Sequence, residues 1–462
     1  MERVRLWELS LIVACAAVSS IATVHEPRIV LLLILILGLM GIYVATRAAL
    51  TSLLFLSLSV GGATLSSLTG VASGSTLLSA LVLGCILCIG MAMGFRRPPP
   101  SAVLAVSVFV LWGLIWAVLP DRIDRSLIDW LGSTVGYAVP WLLLCINWKK
   151  IPTRFVAVLI AVAPLLAVLV GFGLDIAGIK DLTDVDAIGT SRLAGGLPAA
   201  YLGSLAGFGM IAAMWLWLRR KGPGILLLVL DGLVLASTLA RGPLLVASLV
   251  VLTLIVFAKR TRTRIAFITR FAILALFTAG LATALPGVMA RTQGQDDYQG
   301  GLSGRELAWD YFWRTHQERP VFGYGPGAHA TLSQESDVAL VREYFVAPHN
   351  TYLQLLVDFG FVGTAAIVVA IIWLFAAVAR RQERTERVLL YSMGFALAIY
   401  AYFDNVLSVP QVYVPVFTLI GILRVAGAGN GGPASGVNRY SPLLQNSPPD
   451  YSGSRPRIQP HA

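Results

Sequence analysis

Residues 352–379 read YLQLLVDFGFVGTAAIVVAIIWLFAAVA, with Asp358 as their one charged side chain. An α-helix needs about 17–25 apolar residues to cross the hydrocarbon core of a bilayer, and this run supplies them. The rest of the chain repeats the pattern. Of its 462 residues, 57% are hydrophobic and 13% charged, against about 25% charged in a soluble domain. No aqueous core could use this much apolar sequence, so the bilayer must be the solvent. The expected fold is an all-α polytopic membrane protein with about 12–14 transmembrane helices and one large, partly helical outer loop.

Working outward from 352–379, further spans are expected at 6–24, 29–46, 48–69, 76–94, 101–119, 127–147, 155–174, 198–218, 224–240, 242–258, 266–286, 388–408 and 411–428. Residues 6–24 have the look of a signal peptide, but no small-residue cleavage site stands out, so they are read as the first span. The segments 127–147 and 224–240 are the weakest, because they contain Asp129 and Asp231. Asp231 is expected deep in the membrane, paired with an arginine of a neighbouring helix.

The formal charge of +11 is explained without nucleic acid. Lys and Arg recur in alternate loops: Arg47, Arg96-Arg97, Lys149-Lys150, Arg219-Arg220-Lys221, Lys259-Arg260 and Arg380-Arg381. The positive-inside rule makes these loops cytoplasmic, with both termini inside and the long loops 175–197 and 287–350 outside. Cys15, Cys85, Cys88 and Cys145 all lie in apolar runs and read as packing residues. Three regions follow: N-terminal spans over 1–174, a core over 175–428, and a Gly/Pro/Ser/Asn-rich tail over 429–462, too polar to fold alone.

Most of the polar chemistry must come from 286–350. Ser303 to Gln317 reads as a helix, with Ser303 and Glu306 at capping-box spacing and Trp309, Phe312 and Trp313 forming an aromatic face suited to the membrane interface. Pro320-Val321-Phe322-Gly323-Tyr324-Gly325-Pro326-Gly327 reads as a tight loop whose exposed backbone N–H groups can approach an anion. It lacks the Lys-Ser/Thr of a P-loop, so nucleotide binding is rejected. His349 and Asn350 precede the 352–379 span, at a helix N-terminus that favours anions. His349 is then either an interfacial histidine or a functional one. Arg241, wedged between two spans, is either a snorkelling side chain or a site residue. Arg192 stands in the outer loop 175–197, again structural or functional.

Together these motifs carry a resemblance. Gly304-Arg305-Glu306 with Trp309, the Pro320–Gly327 loop, His349-Asn350 with Tyr352-Leu353, and Asp358 with Gly360 and Gly363 resemble the O-antigen ligase and polymerase family, bacterial envelope glycosyltransferases with many spans and one large outer loop. Leu239-Ala240-Arg241-Gly242 resembles a Ser-Arg-Gly element of that family, with Ala240 where Ser is common. Asp358 stands where Glu is more usual. The likeness covers roughly 190–380.

The resemblance implies transfer of a glycan from undecaprenyl pyrophosphate to an acceptor sugar hydroxyl, at the outer face of the bacterial inner membrane. Arg241 and Arg305 match the family's pyrophosphate-binding arginines. His349 matches its essential histidine, as proton acceptor or pyrophosphate ligand. Arg192, Asn350, Tyr352 and Tyr324 complete the expected substrate-binding set. No cofactor is expected, and metal independence is favoured over a site at Asp296-Asp297. Ligation and repeat-unit polymerisation share this chemistry. The motifs favour a ligase narrowly, while the number of spans and the polar tail lean toward a polymerase. A lipid-linked oligosaccharide flippase also fits the span count, but it would not need so large an Arg- and His-bearing outer loop.

Overall fold

A computed structural model describes residues 47–69, 74–118, 123, 125–185, 189–219, 223–257 and 305–430. The expected spans 6–24, 29–46 and 266–286, the Ser303 cap, Asp296-Asp297 and the tail from 431 lie outside these residues.

The described chain is helical apart from one two-stranded hairpin. The N-terminal helices are α1 (Arg47–Ser57), α2 (Gly62–Thr69), α3 (Gly74–Met93), α4 (Pro100–Val118), α5 (Leu127–Leu142) and α6 (Thr153–Ile176). The hairpin pairs β1 (Thr183–Val185) with β2 (Ser191–Leu193), placing Asp184 opposite Arg192. Helices α7 (Ala199–Leu218), α8 (Gly224–Thr238) and α9 (Arg241–Phe257) follow. The polar segment 305–350 folds into α10 (Arg305–Glu318), α11 (Ala328–Gln334) and α12 (Ala339–Tyr344), and α13 (Thr351–Ala379), α14 (Arg384–Phe403) and α15 (Pro410–Asn430) close the described chain. Among the described residues, six helices are long and apolar enough to cross a membrane, and α1, α8 and α9 are shorter apolar helices.

Helix α7 is the hub, buried along almost its whole length and packed against α6, α8, α9 and α15. Lipid tails are as apolar as leucine, so helices in a bilayer associate by close packing through small residues. Gly203 of α7 faces Thr238 and Ala240, and Gly207 faces the Pro243 carbonyl. Gly209 faces the Asp231 carboxylate. The expected Asp231–arginine pair is absent among the described residues. Asp231 is fully buried against Gly209, with no hydrogen-bond partner on either oxygen among the described residues.

Three expected spans are interrupted. The 48–69 span breaks after Ser57, where Ser59 Oγ donates to the Ala163 carbonyl (3.2 Å) and Gly61 N–H to that of Gly196 (2.8 Å). The segment around Gly196 supplies that acceptor: its Ala194–Leu197 turn is buried, a Cβ on Gly171 would meet Gly195, and a Cβ on Gly195 would meet the Ala167 carbonyl. The 127–147 span ends at Leu142, just past Pro140, in a 3₁₀ turn and a bridge between Phe95 and Ile146.

The third break positions the site. Gly360 in α13 has φ 61° and ψ −171°, a conformation essentially restricted to glycine. A break in hydrocarbon must have its backbone groups satisfied by protein, and here the Pro320–Gly327 loop does so. Tyr324 and Gly325 N–H donate to the carbonyls of Val357 (2.9 Å) and Asp358 (2.7 Å), and Phe361 and Val362 N–H donate to Pro320 (2.8 Å) and Val321 (3.2 Å). Gly323 (φ 69°) allows the approach, since a Cβ there would lie 2.6 Å from the Gly360 nitrogen.

The loop helices have their own small core of Ala308, Phe312, Tyr324, Ala328, Val341 and Phe345, seated on Leu353 and Val357 of α13. The aromatic face of α10 is therefore divided. Phe312 is buried and Trp309 bonds the Pro348 carbonyl (2.8 Å), leaving Trp313 as the exposed ring.

Basic segments collect at one end of the bundle. Arg424 donates to the carbonyls of Leu144 and Arg97, Arg384 to that of Phe257, and Arg219 pairs with Glu383 and Glu386. Loops 175–197 and 305–350 lie at the other end, joined to it by Arg192 on Thr238 and Arg305 on Phe403.

Gly360→Ala should destabilise the protein by at least about 1–3 kcal/mol from backbone strain alone, with added cost from the clash with Val321. Detergent thermal melts should show it, together with faster proteolysis in 320–327. Gly173→Ala, with open space around it, should melt like the wild type.

Candidate active site

The site is built around Asp404, the residue that ends α14. Its Oδ2 accepts from the Tyr400 hydroxyl (3.0 Å), its Oδ1 from the Asn405 N–H (2.8 Å), and His349 Nδ1 lies 3.5 Å from Oδ1. The Asp404 carbonyl accepts both from the Thr351 N–H (3.2 Å) and from its hydroxyl (2.6 Å). Thr351 Oγ1 in turn accepts from the Val406 N–H (2.9 Å). The start of α13 and the end of α14 are thus locked together through one residue. The Asp404 carboxylate is thus hydrogen-bonded by Tyr400 and Asn405 and faces His349, with Arg305 nearby.

Arg305, the first residue of α10, donates to the Phe403 carbonyl (2.8 Å) at the C-terminus of α14, where a cation meets the negative end of the helix dipole. His349 has φ 48°, a left-handed conformation that costs a non-glycine residue of order 1–3 kcal/mol and clusters at functional sites. Its ring packs edge-on against Phe345 (5.8 Å).

The Arg241 turn also reaches this network, through Tyr400. Leu239 adopts φ 50° to end α8, and Arg241 starts α9. Gly242 lies flat against the Tyr400 ring, where a Cβ would come within 2.5 Å. Arg192 fixes this turn by donating from Nε to the Thr238 carbonyl (3.0 Å). Tyr400 also hydrogen-bonds Ser204 of α7 (2.9 Å). The hub helix, the Arg241 turn, Arg305 and His349 therefore converge on the Tyr400–Asp404 pair.

Of the other expected residues, Asn350 is the N-cap of α13, its Oδ1 accepting from the Leu353 N–H (3.1 Å). Tyr352 donates to the Ala398 carbonyl of α14 (2.8 Å). Tyr324 belongs to a different network. Its hydroxyl donates to Glu318 (2.7 Å), and the Arg319 guanidinium sits 4.9 Å over its ring.

That second network centres on Asp358, fully buried beside the α13 break. Asp358 accepts from the Tyr137 hydroxyl (2.8 Å), from the Gly327 N–H (2.7 Å) and from the His329 N–H (3.1 Å), with His329 Nδ1 at 3.0 Å. Gln354 bridges Tyr137 and Ser408 (2.8 and 3.0 Å). Arg125, stacked on Trp130, donates to the Pro326 carbonyl (2.8 Å). The glycine–proline loop does cradle an anion with its backbone N–H groups, and that anion is the chain's own Asp358.

Sequence reasoning passed over Asp404, Tyr400 and His329. Asp404 was visible as an acidic residue at the outer end of an expected span. His329 sits two residues past the Gly-Pro-Gly turn, but nothing in sequence links it to Asp358.

Residues 226–368 match the family model for O-antigen ligase. This segment is an O-antigen ligase-family domain. The match takes in Arg241, Arg305, Tyr324, His349, Asn350, Tyr352 and Asp358, and leaves Arg192 and Asp404 outside it. No curated protein matches the chain. That domain and the apolar helices support a membrane protein of ligase- or polymerase-like function in polysaccharide biosynthesis, and the matched family implies a lipid-linked glycan donor and a glycan acceptor.

Asp358→Asn places an amide among groups that all donate, so it should cost about 1–3 kcal/mol for the lost charge-assisted bonds. The expected readout is a lowered melting temperature with proteolytic release of 320–329. Unchanged melting and unchanged cleavage would show that the carboxylate does not hold the loop.

Proposed function

We propose that the protein is a glycosyltransferase that moves a glycan from undecaprenyl pyrophosphate to the hydroxyl of an acceptor sugar, in O-antigen ligase fashion. The site end faces the outside of the bacterial inner membrane, and the basic end faces the cytoplasm, where Lys- and Arg-rich loops are retained. The observation that carries this reading is the convergence of Arg305, His349 and the Arg241 turn on Asp404, at one end of a membrane bundle.

The chemistry needs few parts. The acceptor oxygen attacks the anomeric carbon while the bond from that carbon to the pyrophosphate oxygen breaks, and the lipid pyrophosphate leaves with the electron pair. Charge grows on the leaving group in a low-dielectric setting, where fixed cations are worth more than in water. Arginine suits this task because its planar fork bonds two phosphate oxygens. Arg305 and Arg241 take that role, and Arg192 holds the Arg241 turn in place. The hydroxyl proton passes to His349. Asp404 at Nδ1 selects the tautomer that leaves Nε2 free to accept it, the usual function of a carboxylate behind a catalytic histidine.

His349→Ala and Arg305→Ala should each lower product formation by at least about 10²-fold, while the lipid-linked donor still reaches the outer face. Donor trapped on the inner face would mean a flippase instead. In a deletion strain a missing ligase leaves long lipid-linked chains, whereas a missing polymerase leaves single repeats.

A further inference from the structure

The end of the bundle away from the site gathers charge that the functional reading does not use. Helix α5 stops at Leu142, and the chain turns back through two short 3₁₀ turns, Leu143–Cys145 and Trp148–Lys150, before α6 begins. This turn is fastened to the connection between α3 and α4. Arg96 N–H donates to the Cys145 carbonyl (2.6 Å), and Asn147 N–H donates to that of Gly94 (2.9 Å). Trp148 is fully buried, with its indole N–H on the Leu143 carbonyl (2.8 Å). Arg97, Lys149 and Lys150 are exposed on the joint and Arg96 is half-buried. The Lys150 amine reaches across to Gly94, 3.8 Å from where a Cβ would stand.

Arg424 of α15 closes the joint. It donates to the Leu144 carbonyl (2.7 Å) and to the Arg97 carbonyl (2.9 Å). One turn further along α15, Gly427 lies against the Arg381 carbonyl and the Gln382 side chain, so the connection between α13 and α14 arrives at the same place. Arg96 and Arg381 are both within electrostatic reach of the Arg424 guanidinium. A carbonyl orients a guanidinium without cancelling its charge, and charges drawn out of water need a partner of opposite sign. The joint does not supply one: no Asp or Glu occurs in 94–97, 143–154, 378–382 or 421–427. The nearby carboxylates Glu383 and Glu386 are both engaged by Arg219.

We propose that this joint binds the phosphate of an anionic phospholipid, in the leaflet at that end of the bundle, through Arg96, Arg381 and Arg424, with Arg97 and Lys150 beside them. The proposal stands independently of the transferase reading. Basic pockets between transmembrane helices bind anionic headgroups, and arginine's planar fork suits phosphate oxygens. The cations stand at the ends of α3, α4, α6, α13 and α15, all long and apolar enough to cross a membrane, and therefore at headgroup depth. Val103, Val110 and Leu114 are exposed on α4 at spacings that place them on one helical face. That face begins six residues past Arg97, so apolar surface for an acyl chain lies next to the seat for the phosphate.

The test places the full-length protein in vesicles of phosphatidylglycerol and phosphatidylcholine in equal parts and reads the lipid it retains by native mass spectrometry. The wild type should retain phosphatidylglycerol over phosphatidylcholine. Arg96→Gln with Arg381→Gln removes two cations and leaves the Arg424 bonds to backbone in place. This double variant should retain at least about tenfold less phosphatidylglycerol, while Arg314→Gln, in the loop at the opposite end, should leave retention unchanged. Equal retention of the two lipids, a double variant that matches the wild type, or an equal loss in Arg314→Gln would overturn the proposal.

A second measurement needs no variant. Phosphatidylglycerol with a diazirine on its headgroup should label peptides spanning 94–104 and 145–155. Unlabelled phosphatidylglycerol should compete, and inorganic phosphate at the same concentration should not. Labelling confined to other segments would overturn the site, and competition by inorganic phosphate as strong as by the lipid would overturn the lipid as its occupant.

Discussion

Polar backbone cannot be left open in hydrocarbon, and the break of α13 at Gly360 is where this chain meets that constraint most sharply. Four backbone groups freed by the break are taken up by the Pro320–Gly327 loop, and the Asp358 carboxylate beside it accepts from Gly327 and His329. The 320–327 loop is thereby anchored within the bundle and does not simply rest on it. Its small core on Leu353 and Val357 then fixes where α10 begins and where His349 stands. An interaction of structural origin thus determines the reach of Arg305 and His349 into the site.

Asp404 supplies the second constraint. A mostly buried carboxylate is tolerated when it is hydrogen-bonded and faces positive charge, and Tyr400, Asn405, His349 and Arg305 provide this. The same contacts bring α7, the Arg241 turn, α10, α13 and α14 to one point.

Much of this was legible in the sequence. Apolar runs gave the helical membrane fold, and alternating basic loops sorted the two ends of the bundle. The His349-Asn350 and Arg305 motifs pointed to residues that stand at the end of α14, Arg305 on the Phe403 carbonyl and His349 beside Asp404. Interruptions were not legible, because hydropathy averages over them: Ser59 and Gly61 break a run that scores as one span, and Gly360 breaks another. The anion expected at the glycine–proline loop was real in kind but misplaced, since a sequence does not say that Asp358 folds back beneath that loop. Asp404 was visible near the end of an expected span but drew no role, because its partners lie at positions 305, 349 and 400, and only the folded chain brings them together.

The central claim is that His349 acts as one unit with Asp404. A double-mutant cycle on transfer tests it directly, comparing kcat/KM for His349→Ala, Asp404→Asn and the pair. Coupled groups are strongly non-additive, so the double variant should be no slower than His349→Ala alone. A double variant slower by the product of the two single effects would show that the residues act independently and would contradict the account.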